Sequence, residues 1–292
     1  MMLSRQLRQD YAFCEKIIKA SSKSFYTAFS QLPKEKARAV YAIYAFCRLA
    51  DDTVDSDDPL AKKIKNLQKL EEQLKAFDKG HTPDDPMWRA LRDVFTRYKM
   101  DVSPFFDQLE GQKRDLSFKG MADLSALEEY SYYVAGSVGL MLLPILSANN
   151  EIDDSLRESA VSLGIAMQLT NILRDVGEDF RDNNRIYLPS DLLLHYGIRI
   201  DALMEDGVNP SFIELWESIA MEAERRYGLF WDRIDRFDED CRFPVYVAAK
   251  LYRAIIDSVR ENNYNCLQLR NYVPEVKMMG LVLEARKRFK KR

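Results

Sequence analysis

The stretch NILRDVGED, residues 171–179, spaces Asn171, Asp175 and Asp179 four residues apart. On an α-helix each such step leaves the next group only about 40° round the axis and about 6 Å further along. The three oxygen-bearing side chains therefore share one stripe, with Arg174 set among them. A second stripe lies far upstream. In DDTVD, residues 51–55, Asp51 and Asp55 are four apart and Asp52 is turned aside, while Arg48 and Tyr44 carry the same stripe back along the chain. A lone acidic pair at this spacing is usually a solvated face. Two such stripes, each with an arginine nearby, suggest chemistry.

If the stripes face each other, their like charges oppose ionisation unless a counter-charge is present. Mg²⁺ supplies one: it takes oxygen ligands octahedrally, commonly one or two carboxylates with waters and substrate phosphates. Arg48, Arg174 and Arg185 in reach of the same space would complete a diphosphate cradle, because the planar guanidinium fork matches phosphate oxygens. An EF-hand fits poorly, since the sixth position counted from Asp51 is Ser56, where that loop needs glycine. His81 and His195 are the only histidines, and both read as structural or solvated. No nucleophile elbow and no glycine-rich phosphate loop is present. Ionisation of an allylic diphosphate joins Mg²⁺, diphosphate and an apolar interior: the metal stabilises the leaving group as a Lewis acid, and aromatic faces shelter the cation.

The elements that must position these groups read as helices. Gly (11) and Pro (10) are scarce in 292 residues, which favours long helices over many short strands. Apolar residues from Val40 to Val54 recur at threes and fours after Pro33, marking a helix that ends near Pro59. Further helices are expected at about 60–78, 86–98, 104–117, 125–148, 153–180, 190–195, 210–237, 244–263 and 274–290, with a loop at 78–86 and no period-two strand pattern. No linker splits the chain, so the expectation is one all-α domain over 1–292. Residues 130–150 carry no charge over a nearly membrane-spanning length, but their serines, asparagines, tyrosines and Pro144 favour a helix buried in a soluble bundle. Within it, Ala135, Gly136, Ser137 and Gly139 would admit another helix or a ligand close to the backbone.

A net charge of −3 gives no sequence-wide basic excess for nucleic acid. Cys14, Cys47, Cys241 and Cys266 are widely spread and read as reduced thiols of a cytoplasmic protein, with no signal-peptide core at the N-terminus. The closing RKRFKKR (286–292) reads by default as a solvated tail, with attraction to an anionic membrane at the inner face as the alternative if the substrate is a lipid.

DDTVD and NILRDVGED, together with SKSFYTAF (22–29), YVAGSVG (133–139), NRIYLP (184–189) and the region from NNYN to RNYVP (262–274), resemble the squalene/phytoene synthase family over nearly the whole chain and in the expected order. Within it, size and pattern are most similar to the bacterial dehydrosqualene (4,4′-diapophytoene) synthases of carotenoid pathways. The resemblance implies a single isoprenoid-synthase helical domain around a central apolar cavity. It makes Asp51 and Asp55 Mg²⁺ ligands and Asn171, Asp175 and Asp179 further ligands or their supports, for two or three ions held with the substrate diphosphate, and sets Asp52 and Gln168 at the rim. Ser22, Arg48, Arg185, Tyr252 and Arg270 match diphosphate-holding positions, and Phe25, Phe29, Tyr44, Val138 and Tyr187 match cavity-lining or cation-facing ones. The implied reaction is head-to-head condensation of two prenyl diphosphates. Bulky Phe29 and Tyr41 would shorten the cavity to suit farnesyl chains, and no NADPH is expected. The rivals are a phytoene synthase using geranylgeranyl diphosphate, an NADPH-dependent squalene synthase, a terpene cyclase, whose second motif usually has a hydroxyl residue where Asp175 stands, and a helical scaffold whose acidic faces are merely solvated.

Overall fold

The computed structural model describes residues 3–290, and among them there is no strand. Helix starts follow local capping chemistry. The Ser4 hydroxyl accepts from the Leu7 amide and opens α1 (Arg5–Ser21); Ser22 does the same for α2 (Lys23–Phe29). Pro33 precedes α3 (Lys34–Asp55), and Pro59 precedes α4 (Leu60–Asp78). Asp85 caps α5 (Pro86–Arg97), which is followed by α6 (Ser103–Leu116) and by α7 (Leu124–Ser131), capped by Asp123. After α8 (Ser137–Leu146), Asp153 caps the longest element, α9 (Asp154–Asn183), whose 30 residues run about 45 Å. Then come α10 (Ser190–His195), α11 (Ile200–Asp206), α12 (Pro210–Trp231), α13 (Glu239–Glu261) and α14 (Glu275–Lys290).

The all-helical expectation holds, but several boundaries differ from it. α1 was not expected, because its buried residues Tyr11, Cys14 and Ile18 are embedded in a charged stretch. α2 and α11, at seven residues each, were likewise not expected. The helix expected over 125–148 is not continuous: Tyr132–Gly136 winds as a π-helix between α7 and α8. Such local widening recurs at functional sites. The helix expected over 210–237 stops at Trp231, with a 3₁₀ turn at Ile234–Arg236. The one expected from 244 begins at Glu239 and keeps Pro244 inside it, with the loss of one backbone hydrogen bond.

α9 is the axis of the molecule, packing against α8, α12 and α13. The π–α8 segment comes close to it. A Cβ added at Gly164 would lie 2.2 Å from the Ala135 carbonyl oxygen, and one at Gly139 would lie 2.3 Å from that of Ala160. The small residues of the uncharged segment thus let two backbones touch, as the sequence reading anticipated. No helix among the described residues is long and apolar enough to cross a membrane. All four cysteines are free and buried. A buried ion pair ties the ends of α3 and α13: Lys36 reaches Asp238 at 2.8 Å and Asp240 at 2.6 Å, and Asp238 also accepts from the side-chain amides of Asn149 and Asn150. Full pairing is what makes such a burial tolerable. Lys291 and Arg292, the end of the basic run, lie outside the described residues.

The crossing of α9 with the π segment at Gly164 leaves no room for one methyl group. Gly164→Ala is expected to destabilise the fold by about 2 kcal/mol through overpacking, read as a lower denaturant midpoint; an unchanged midpoint contradicts the contact.

Candidate active site

The α3 stripe ends against α6. Asp51 is half-buried, and its Oδ1 accepts from Gln112 Nε2 at 2.6 Å and from Gln108 Nε2 at 3.3 Å. Arg48 turns to Asp52, at 2.6 Å, on the exposed side of the same helix. Asp55 sits at the mouth with its side chain 59% exposed, 3.8 Å from Arg185.

On α9, Asn171 joins two neighbours: it accepts from the Tyr252 hydroxyl at 3.1 Å and donates to Gln168 Oε1 at 3.2 Å. Asp175 is held in two-point fashion by Arg174, through Nε at 2.7 Å and Nη2 at 2.5 Å, with Arg270 Nε at 3.6 Å. Arg174, which the sequence reading set in a diphosphate cradle, here pairs with the acidic motif itself. Arg270 also binds Glu178. The glycine in the motif has a steric reason. A Cβ at Gly177 would fall 1.8 Å from the Leu267 carbonyl oxygen, and the Gly177 amide donates to Cys266 O at 3.0 Å. The segment carrying Arg270 crosses α9 at that point, with Arg181 also bonded to Leu267 O.

Termination of α9 brings in the next group. Asn184 takes the left-handed conformation (φ 50°), which asparagine tolerates, and the chain doubles back so that the Arg185 amide donates to Asp179 O. Arg185 then reaches toward Asp55, donates to the Asp115 carbonyl at 3.2 Å, and meets the Tyr187 hydroxyl at 3.3 Å.

Asp115 on α6 was missed by the sequence reading. It accepts from the Tyr130 hydroxyl at 3.0 and 2.9 Å and from the Tyr187 hydroxyl at 3.0 Å. A signal was available: Gln108, Gln112 and Asp115 recur at four and three, and a helix face bearing two buried glutamines needs a polar target. Tyr187, expected at a cavity-lining or cation-facing position, turns its hydroxyl to Asp115 and stacks on Tyr130 at 5.3 Å.

Behind the acids lies an aromatic group. Phe25 stacks on Tyr252 at 4.9 Å and on Phe29 at 5.8 Å, and meets Tyr44 edge-on at 6.2 Å. Tyr41, one turn back from Tyr44, lies 6.1 Å from Tyr26. On α8, Met141 touches Cys47 of α3 and Gly139 touches α9, so Val138 and Leu142 lie on the arc between those helices, both half-buried. Ser22, expected at the diphosphate, uses its hydroxyl to cap α2 at the Phe25 amide, 3.3 Å away.

The electrostatics bind the two stripes into one site. Burial, then repulsion from Asp55, raises Asp51 to about 7; Asp115 also contributes. Burial raises Asp115 to about 6 against the opposing pull of Arg185 and the two phenols, and Asp55 adds to the rise. Asp179 rises to about 8 through burial, then Asp175 and Glu178, with Asp115 again adding. At Asp55 loss of water raises the carboxyl, while Arg185, Arg48 and Lys63 oppose the rise. Asp115 is thus felt by both α3 and α9, and the acids from distant segments converge.

A converged acidic site above aromatic rings on an all-helical frame matches the comparisons with known proteins. The squalene/phytoene synthase family model matches residues 18–277. The chain belongs to the squalene/phytoene synthase family. It is 35% identical to a 4,4′-diapophytoene synthase of Staphylococcus haemolyticus, over 97% of this chain and 99% of that one. It is 38% identical to a phytoene synthase of Arthrospira platensis, over 92% and 90% of the two chains. Among solved structures it resembles a dehydrosqualene synthase in complex with a ligand, with a TM-score of 0.92, 45% identity and 99% coverage of both chains.

As a squalene/phytoene synthase this chain is a prenyltransferase acting on prenyl diphosphates, which excludes the scaffold reading. Its donor set is all oxygen, and its acids lack sufficient counter-charge, which suits a hard divalent cation. Among the described residues no three His, Cys, Asp or Glu groups come together to hold a metal unaided. An ion there would share its coordination sphere with the substrate and water.

Folded, Asp51 and Asp179 keep their protons to higher pH than they do unfolded. The native state then binds the extra protons between about pH 4 and 8, so this site lowers stability as pH rises through that window. In a chelator, the melting temperature is expected to fall between pH 5.5 and pH 8, and Asp179→Asn should reduce the fall. An Asp179→Asn slope equal to that of the parent contradicts the assignment.

Proposed function

We propose that this chain condenses two farnesyl diphosphates head to head, through a cyclopropylcarbinyl diphosphate, to dehydrosqualene, using Mg²⁺ and no NADPH. The observation that carries the reading is the union of the converged acids with an aromatic wall of limited depth. Tyr41 lies ten residues before Asp51 on α3, about 15 Å along the axis. Both Tyr41 and Phe29 are nearly fully buried, and in this reading they close that end. Such a depth favours a farnesyl chain over one longer by an isoprene unit. The high identity to a dehydrosqualene synthase and the full-length match to a 4,4′-diapophytoene synthase support the same choice.

Asp51 and Asp55 on one side, and Asn171, Asp175 and Asp179 on the other, would hold Mg²⁺ against the substrate diphosphate. When bound, the metal supplies Lewis-acid stabilisation of the departing diphosphate. Gln108 and Gln112 fix the orientation of Asp51, and Arg48, Arg185 and Arg270 line the mouth where the phosphates enter. The C1–O bond of the first farnesyl diphosphate breaks, leaving an allylic cation facing Phe25, Tyr44 and Tyr252. The C2–C3 double bond of the second molecule attacks it, and loss of a proton from C1 of the first molecule closes the cyclopropane onto C3 of the second. A second C–O cleavage, ring rearrangement and proton loss give the central conjugated triene. Burial, with Tyr252 and Asp51 nearby, raises the Tyr44 phenol and keeps it neutral. The released diphosphate is then the natural proton acceptor.

The 38% identity to a phytoene synthase supports a second reading, in which geranylgeranyl diphosphate is the substrate. Product mass spectrometry with each diphosphate, with and without NADPH, separates the two. The expected product is dehydrosqualene from farnesyl diphosphate, unchanged by NADPH; squalene or phytoene as the main product overturns the proposal. Asp51→Ala and Asp175→Ala should each lower the rate of diphosphate release by at least about 100-fold with native circular dichroism, and near-normal turnover contradicts the metal assignment. Tyr41→Ala or Phe29→Ala should increase turnover of geranylgeranyl diphosphate relative to farnesyl diphosphate; an unchanged ratio shows that they do not set chain length.

A further inference from the structure

Helix α14 carries apolar side chains on two opposite faces. Those of the inner face have partners: Phe289 meets Tyr246 at 5.4 Å and Phe243 at 6.2 Å, Ala285 is buried, and Met278 and Leu281 pack on Ala254, Ile255 and Val273. On the outer face Val276, Met279 and Leu283 are 78%, 60% and 56% exposed. At 100° per residue these three, followed by Arg286, Lys287 and Lys290, fall within an arc of about 100°. Glu284 lies outside that arc, and Glu275 at its edge is 3.9 Å from Lys23. The preceding loop extends the apolar surface with Leu269 and Tyr272, also exposed. That loop carries Arg270, which binds Glu178 and approaches Asp175. The surface therefore runs from the mouth of the active site to the end of α14.

A helix that is apolar on both faces is normally covered on both, and contiguous exposed apolar surface marks an interaction. An apolar arc ending in three cations complements a bilayer with anionic headgroups: acyl chains take the first part and phosphates the second. We propose that α14 lays its outer face on an anionic phospholipid bilayer, with Val276, Met279 and Leu283 at the acyl boundary and Arg286, Lys287 and Lys290 among the headgroups. The active-site mouth then opens beside the membrane. Resting on the proposed function, this places the enzyme where isoprenoid chains partition and where a hydrocarbon product must leave.

The test is co-sedimentation of the full chain with vesicles of equal parts phosphatidylglycerol and phosphatidylcholine, against vesicles of phosphatidylcholine alone. No substrate is present, so the outcome is independent of the diphosphate-release assay. Binding is expected to the anionic vesicles, weakened by salt. The triple variant Val276→Ser, Met279→Ser, Leu283→Ser should bind about tenfold more weakly, and each of Arg286→Gln, Lys287→Gln and Lys290→Gln should weaken it by roughly fivefold. All should retain native melting and turnover of detergent-dispersed substrate. If the triple variant melts abnormally, Leu283→Ser alone is read, with a several-fold loss expected. The proposal is overturned if the parent stays in the supernatant, if the serine variants bind as the parent does, or if ultracentrifugation shows a dimer that the triple variant dissolves while vesicles are ignored.

Discussion

Half-buried carboxylates, drawn from water and crowded together, are the constraint around which this molecule is arranged. Asp51, Asp115 and Asp179 come from α3, α6 and α9; loss of water raises each of them, and Asp115 adds to the rise of the other two. Nothing in hydrophobic packing favours such a cluster. The fold holds it by force of surrounding order: two glutamines on Asp51, two phenols on Asp115, and the amide of Arg185 on the backbone of Asp179. A site built this way has an unmet demand for positive charge, which in the proposed function a metal–diphosphate pair would meet. Catalytic sites commonly hold groups with pKa values displaced in this manner.

The rigidity that sustains the cluster comes from α9. Its central stretch is pressed against the π–α8 segment at Gly139 and Gly164, and its last turns are crossed by the Cys266–Leu267 backbone at Gly177. Between those contacts lie Asn171 and Asp175. The motif is therefore clamped on both sides by backbone-to-backbone approaches that tolerate no side chain. The same crossing delivers Arg270 to Asp175, so one glycine serves both packing and the electrostatics of the mouth.

The aromatic region answers a different need. Phe25 touches Phe29, Tyr44 and Tyr252, and Tyr252 also donates to Asn171. One tyrosine thus joins the polar and apolar halves of the site. Ring faces there stabilise positive charge without offering a nucleophile, which suits a reaction whose intermediates are carbocations. The surface of α14 proposed to face a membrane begins beside Arg270, so in that reading charge recognition, cation shelter and access for greasy chains are adjacent.

The sequence by itself determined the two acidic stripes, the helices that bear them and the family they resemble. These depend on spacing within one helix, and a four-residue step has one geometric meaning. It also foretold that Ala135 to Gly139 would admit a close neighbour. Tertiary structure alone decided the rest. Asp115 enters the site because α6 packs beside α3, a contact between residues some sixty apart. Arg174 and Tyr187 have the right chemistry but turn to Asp175 and Asp115, because burial demands partners for their polar groups. The break at Tyr132–Gly136 and the crossing at Gly177 arise from backbones meeting across the fold. No local pattern records such meetings, since their energy is shared between segments distant in the chain.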